Sequence, residues 1–160
     1  ILGRLRARRA DGDRQTRIVQ IQPEAAFRES YRIQGEVLIT HDDYVTGRVF
    51  KDAICHAFYP VDLHTRSGVK PQPLQQGVVP TVPLRALVPS GSRRLIVAGR
   101  CLSSDRLANS GLRAQATCMA TGQAAGTAAA LAAAGNATPL DVPLDAIRDA
   151  LRQNGAIVPG

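Results

Sequence analysis

RLIVAGRCLSS at residues 94–104 and ATCMATGQAAGTAAALAAAG at residues 116–135 are the two stretches on which the fold turns. The first is an apolar run that stops at a glycine. It predicts a buried strand from Arg94 to Ala98, ending at Gly99. The second is dominated by alanine, with 11 alanines among the 21 residues from Ala114 to Ala134 and with Gly122 and Gly126 between them. Alanine is the best helix former, and Gly135 sits where a C-terminal cap belongs. A helix from Thr117 to Ala134 follows, roughly 27 Å long at 1.5 Å per residue. Small residues on nearly every side let another backbone or a flat ligand approach closely, although the same composition suits a plain helix in a tight core. A strand end facing a helix N-terminus is a place for anions and electron-rich carbonyls, because the first-turn N–H groups lack partners. Gly99 lets a planar ligand touch the backbone, and Arg113, before the helix, adds positive charge. The plain alternative is a strand-loop-helix connection with one surface arginine.

Working outward, Leu144, Ile147 and Leu151 make an apolar stripe for a last helix from near Pro143 to Asn154. Asp141 is its expected N-cap and Gly155 its stop. Toward the N-terminus, Val78 to Val88 reads as extended, with Pro80 and Pro83 confining it to an edge or an irregular strand. Residues 65–77 are a Gly-, Pro- and Gln-rich loop, and Tyr59 to His64 is a short strand. Asp42 or Asp43 is expected to cap a helix running through Lys51 and Ile54. Phe27 to Thr40 reads as two extended stretches broken at Gly35, and Arg17 to Gln22 alternates as a strand does. Residues 1–17 hold six arginines and read as a solvated or disordered lead-in.

The 160 residues suit one domain, and their 44% apolar content is enough for one core. The net charge is +7, which raises nucleic-acid binding as one reading. Much of that excess lies in residues 1–17, and no aromatic residues are interleaved with the arginines as single-strand binding wants. Cys55, Cys101 and Cys118 form no CxxC pair, which argues against a disulfide framework and a structural zinc site. His41, His56 and His64 show no metal-ligand spacing, so no metal is expected. None of the 14 glycines is two positions from another, so GxGxxG does not occur. No apolar run reaches 18 residues and no signal-like leader opens the sequence. The expectation is a cytoplasmic protein with no membrane span, and a sequence opening on Ile1 rather than methionine is expected to be a processed product or a piece of something longer.

VAGRCLSS and ATCMATGQAAGTAAALA resemble the C-terminal flavin-binding segment of the FAD-dependent oxidoreductase family, a branch distantly related to the fumarate reductase and succinate dehydrogenase flavoproteins. FRESYRIQGEVLIT, VFKDAI, YPVDLH and VPLRALVP resemble that family's landmarks and come in its order, from about residue 27. Residues 1–17 lie outside the resemblance. It implies an α/β fold, part of a glutathione-reductase-like FAD-binding domain. Substrate-side strands would occupy 18–83, and the C-terminal part of the FAD domain 84–160, with the Ala/Gly helix packed on the strand of Leu95 to Ala98. It implies FAD as cofactor, a small-molecule substrate, and hydride transfer between them. It places Gly99, Arg100, Cys101 and Ser103 along the ribityl chain and ring. Arg113 and the amides of Thr117, Cys118 and Met119 would face the pyrimidine edge. Arg28, Glu29, Arg32, Asp62 and His64 fall on the substrate side, with no catalytic role assigned.

The family's GxGxxG half, which holds the ADP moiety, has no counterpart in this sequence. The resemblance therefore implies a C-terminal portion whose partner is an N-terminal Rossmann half, with exposed strand edges that favour association with that half or with a second copy. A non-catalytic remnant of the fold and an arginine-rich nucleic-acid binder are the competing readings. Cys101 and Cys118, 17 apart, read either as small buried thiols against the flavin or as a redox pair.

Overall fold

A computed structural model describes residues 2–13, 15–17, 19, 20, 23, 28, 29, 31–65 and 68–159. Alanine, leucine and arginine favour helix, and Leu2–Ala10 form α1. The first part of the arginine-rich lead-in is therefore a helix. Residues 3, 4 and 6–10 are exposed.

Thr40 starts α2 (His41–Thr46) through a capping box. Its hydroxyl accepts from the Asp43 N–H at 3.2 Å, and the Asp43 carboxylate accepts from the Thr40 N–H at 3.0 Å. The cap is thus Thr40 rather than Asp42 or Asp43. The helix predicted to reach Ile54 stops at Gly47, whose φ is 71°. Beyond it the chain must bury Ala53, Ile54 and Cys55 in succession, which one helical face cannot do. They form β1 (Ala53–His56), paired antiparallel with β4 (Thr81–Pro83) across a bulge between Ala53 and Cys55. Pro83, lacking an N–H, ends that ladder. The chain then turns through a 3-10 segment at Leu84–Ala86.

Two short strands, β2 (His64–Thr65) and β3 (Gly68–Val69), pair antiparallel where the predicted strand runs into the predicted loop. The rest of the predicted strand Tyr59 to His64 makes one bridge, Val61 to Gln72. Between residues 31 and 40 the predicted strands reduce to bridges from Gly35 to Pro89 and from Ile39 to Ser104. Ile18, Ile21 and Gln22 of the first predicted strand lie outside the described residues. The architecture is helices with small antiparallel sheets.

Arg94 to Ala98 is not a strand. Its Val97 N–H reaches the Leu87 carbonyl at 2.8 Å, but no ladder forms and Leu95 is 53% exposed. An apolar run predicts burial between neighbours, and the described residues supply a neighbour on one side only. A helix the pattern did not predict follows: α3 (Arg106–Leu112), capped by Asp105, whose carboxylate accepts from the Ala108 N–H at 2.8 Å.

The alanine-rich helix α4 spans Gln115–Ala134 and is capped at Gly135. It packs on β1, on α5 (Leu144–Gln153) and on the Gly99–Cys101 turn, and Ile96 of the run before Gly99 lines one cavity with Ala129, Ala132 and Ala133. Ala124, Ala128 and Ala132 line the contact, so neighbouring backbones come close. Gly122 and Gly126 do not: a Cβ added at either meets nothing within 4 Å. Ile147 and Leu151 of α5 are fully buried, as the stripe predicts. Its N-cap is Pro143. Asp141 instead accepts from the Thr138 hydroxyl at 2.7 Å, closing the preceding turn. Arg148 ties α5 to β1 by donating to the Ala53 carbonyl at 2.9 and 3.0 Å. Ile39, Tyr44, Ile54, Leu87, Leu102 and Leu112 complete the core.

Candidate functional site

A cleft of about 400 Å³ lies where α3 gives way to α4, lined by Arg28, Asp62, Arg100, Arg113, Gln115 and Cys118 among others. Its wall at 59–62 is held by side chains from helices rather than by a sheet. The buried Tyr44 hydroxyl donates to the Tyr59 carbonyl at 2.7 Å. The Ser110 hydroxyl accepts from the Asp62 N–H at 3.0 Å. Arg113, at the end of α3, donates to the Asp62 carbonyl at 2.9 Å and to Glu29 at 3.3 Å, with its side chain 8% exposed.

Glu29 also accepts from Arg106 at 2.5 Å. That hydrogen bond is the chief reason its carboxyl sits below the usual range, against a smaller opposing effect of burial. Asp62 is less satisfied. Its Oδ1 is buried without a partner among the described residues. Its Oδ2 lies 3.5 Å from His64 Nε2. The same Nε2 is 2.9 Å from Arg28 Nη2. Arg28, Asp62 and His64, three of the five residues that the resemblance puts on the substrate side, thus meet. Arg32 does not join them, since its guanidinium donates to the Ser104 carbonyl at 3.0 Å.

The opposite wall is the start of α4. Ala114 at the N-cap has no side chain to accept from the first-turn amides. The helix begins two residues before the predicted start. Cys118 N–H is therefore bonded to the Ala114 carbonyl at 3.0 Å, and Met119 lies inside the helix. The open donors are those of Gln115, Ala116 and Thr117, so of the three predicted amides Thr117 alone belongs to the open turn. Gly99 turns under this helix with φ 75°, and its N–H donates to the Thr121 hydroxyl at 3.0 Å. A Cβ there would stand 3.8 Å from the Cys118 sulfur. Burial raises the Cys118 thiol above its ordinary range, while Arg100 pulls the other way. Cys101 and Cys118 are both free thiols.

A family model described as FAD dependent oxidoreductase matches residues 4–151. The chain belongs to this family. Membership makes this an FAD-dependent oxidoreductase-type domain and implies FAD as the family's cofactor. The match begins inside the arginine-rich segment that the resemblance leaves out, so the family region takes in most of α1 as well. No curated protein and no solved structure matches the chain. Among the described residues no helix is long and apolar enough to cross a membrane, and no three His, Cys, Asp or Glu side chains gather around one metal position.

In this member of the FAD dependent oxidoreductase family, the cleft collects Arg28, Arg100, Arg113 and Cys118, and Gly99 stands beside Cys118. Cys101 turns its thiol back to the Ala98 carbonyl at 3.4 Å. Ser103 is buried elsewhere: its N–H donates to Ala86 and its carbonyl accepts from Ile39. Thr117 and Met119 line a second cleft of about 620 Å³, with Phe58, Val79 and Ile157. Gln115 and Ser110 enter the site unpredicted. The run Ser103-Ser104-Asp105 before Arg106 is the signal that could have found α3, because serine and aspartate are N-cap residues.

Proposed function

We propose that the chain is the C-terminal part of an FAD-dependent oxidoreductase that moves a hydride to or from a small substrate. The observation that carries this is one juxtaposition. The uncapped first turn of α4, the left-handed Gly99 and the arginine-lined cleft meet at one place. Those features suit the ring end of a flavin: open N–H donors and Arg113 for its electron-rich edge, and a glycine for close approach. When bound, FAD supplies the hydride chemistry. The residues of this chain hold and orient, and they favour negative charge at that edge. Kinship with fumarate reductase and succinate dehydrogenase flavoproteins belongs to this proposal and rests on the GRC and TCMATGQAAG segments.

The pyrophosphate end fits less well. Its charges call for a Gly-rich turn opening a helix, and GxGxxG does not occur in the sequence. A Rossmann segment carrying that turn is the proposed partner. The test is to purify the chain alone and together with such a segment. The chain alone is expected to be colourless, and the pair yellow with bound flavin. One flavin per chain in the isolated protein, or a colourless pair whose partners bind each other, would overturn the proposal.

A further inference from the structure

One carboxylate serves two guanidiniums. Glu29 accepts from Arg106 Nε at 2.5 Å and from Arg113 Nη1 at 3.3 Å. The two arginines stand at opposite ends of α3, Arg106 as its first residue and Arg113 as its C-cap. The shares are unequal. A bond from a charged N–H to a carboxylate runs at about 2.7–2.9 Å, so the Arg106 contact is close and the Arg113 contact is long. Arg113 takes its place instead from a neutral group, the Asp62 carbonyl at 2.9 Å. Exposure falls along the row, from 60% for the Arg106 side chain through 27% for Glu29 to 8% for Arg113. Of the three, Arg113 alone lines the cleft. Solvent screens it least, so partial compensation of its charge counts most there. Arg32 also acts on Glu29 through space, but its own guanidinium donates to the Ser104 carbonyl.

From this geometry we infer that Arg106, outside the cleft, sets how much of the Arg113 charge the cleft presents, by holding the Glu29 carboxylate to itself. Arg106 and Glu29 are thus positioning residues for Arg113. Without the Arg106 guanidinium, Glu29 closes on the guanidinium still bonded to it, and Arg113 becomes half of a neutral pair. Without the Glu29 charge, Arg113 stands uncompensated. The two substitutions therefore act in opposite directions, and the first needs Glu29 in order to act at all. A merely structural ion pair behaves otherwise: its removal loosens every partner. The inference rests on the proposed function only where a flavin serves as the reporter.

The chain itself gives the first readout. Nitrogen-15 NMR follows the Arg113 guanidinium, whose signal is identified by its loss in Arg113→Lys. Arg106→Ala changes an exposed side chain and is expected to keep the fold within about 0.5 kcal/mol. It is expected to slow the flipping of the Arg113 guanidinium by about threefold, an added barrier of about 0.6 kcal/mol. Arg106→Lys restores the parent's rate, and Glu29→Gln raises it. Arg106→Ala made in the Glu29→Gln chain changes nothing further, as a double-mutant cycle requires of an effect carried by Glu29. The second readout is the reduction potential of flavin assembled with a Rossmann segment. Positive charge stabilises the reduced anion, so Arg106→Ala is expected to shift the ratio of reduced to oxidised flavin about tenfold toward oxidised, which is about 30 mV for a two-electron couple. Glu29→Gln shifts it the other way. An Arg113 guanidinium that flips as fast as the parent's or faster in Arg106→Ala overturns the inference. So does an Arg106→Ala effect that survives in the Glu29→Gln chain. If the guanidinium responds as described but no flavin assembles, or its potential stays fixed, the control of Arg113 stands and the function proposed above falls.

Discussion

Cys118 and Met119 are neighbours on α4, yet they belong to different clefts. Cys118 lines the one with Arg28, Asp62, Arg100 and Arg113, while Met119 lines the one with Phe58, Val79 and Ile157. A step of about 100° per residue carries the chain from one side of the helix to the other. The first cleft is built from interlocked polar groups, each placed by another element. The second is mostly apolar, and its Phe58, Met119 and Ile157 are exposed, Met119 by 68%. One helix therefore carries two surfaces of different kinds. The charged one is organised by hydrogen bonds between side chains and distant backbone, and the apolar one by residues of β1, α4 and the chain after α5.

The strongest way to test that contrast is to substitute on each side. Arg113→Met removes a guanidinium that is almost fully buried and leaves the Asp62 carbonyl without its donor. It is expected to cost about 2 to 3 kcal/mol in urea unfolding, since hydrogen bonds from charged groups carry about 1.5–3 kcal/mol. Met119→Gln, on the exposed side, is expected to stay within about 0.5 kcal/mol. Equal losses would dissolve the distinction between the clefts.

A middle-sized effect belongs to the turn beneath both. Gly99→Ala forces an L side chain into the left-handed region at φ 75°, at a cost of about 1–2 kcal/mol. The 3.8 Å approach to Cys118 adds no clash. A melting temperature equal to the parent's would mean that the turn relaxes. Gly122→Ala works in the opposite direction. Helix-interior glycine costs about 0.5–1 kcal/mol relative to alanine, and the new Cβ meets nothing, so this chain should gain that amount. If a Rossmann partner covers that face, the same change should weaken its association, and a partner that binds unchanged shows the face stays open.

The smallest expected effect is a pH dependence at Glu29. Its folded pKa is below the ordinary value of about 4.3. The stabilisation is present above that unfolded value and is lost as pH falls through the lower, folded one. Glu29→Gln should therefore flatten the acid limb of stability against pH and leave the limb above neutrality in place. An unchanged acid limb would detach Glu29 from the network.

Periodicity made the two long C-terminal helices legible, because alanine density and the Leu144, Ile147, Leu151 stripe are local signals. The short strands were not. Three buried residues in a row, Ala53 to Cys55, give no period at all, and Val78 to Val88 is split by a 3-10 turn that no single residue announces. The run before Gly99 misled for a physical reason: apolar composition reports the burial a segment seeks, not the neighbours present to provide it. Within the candidate site, the resemblance found Arg28, Asp62, His64, Arg100 and Arg113. It could not see that Nε2 of His64 stands between Arg28 and Asp62, because contacts between residues 28 and 64 leave no mark on spacing.

The Thr121 hydroxyl accepts from the Gly99 amide and lies within 2.9 and 3.0 Å of the Thr117 and Cys118 carbonyls. A single oxygen thus couples a turn to the interior of a twenty-residue helix. An amide in a turn usually exchanges its hydrogen with solvent as the turn breathes. The Gly99 amide has to wait for α4 to open, and it should exchange with the helix cohort, orders of magnitude later than the other amides of its turn. Thr121→Val would release it to exchange with the turn, so an event at the turn would no longer be felt in the helix.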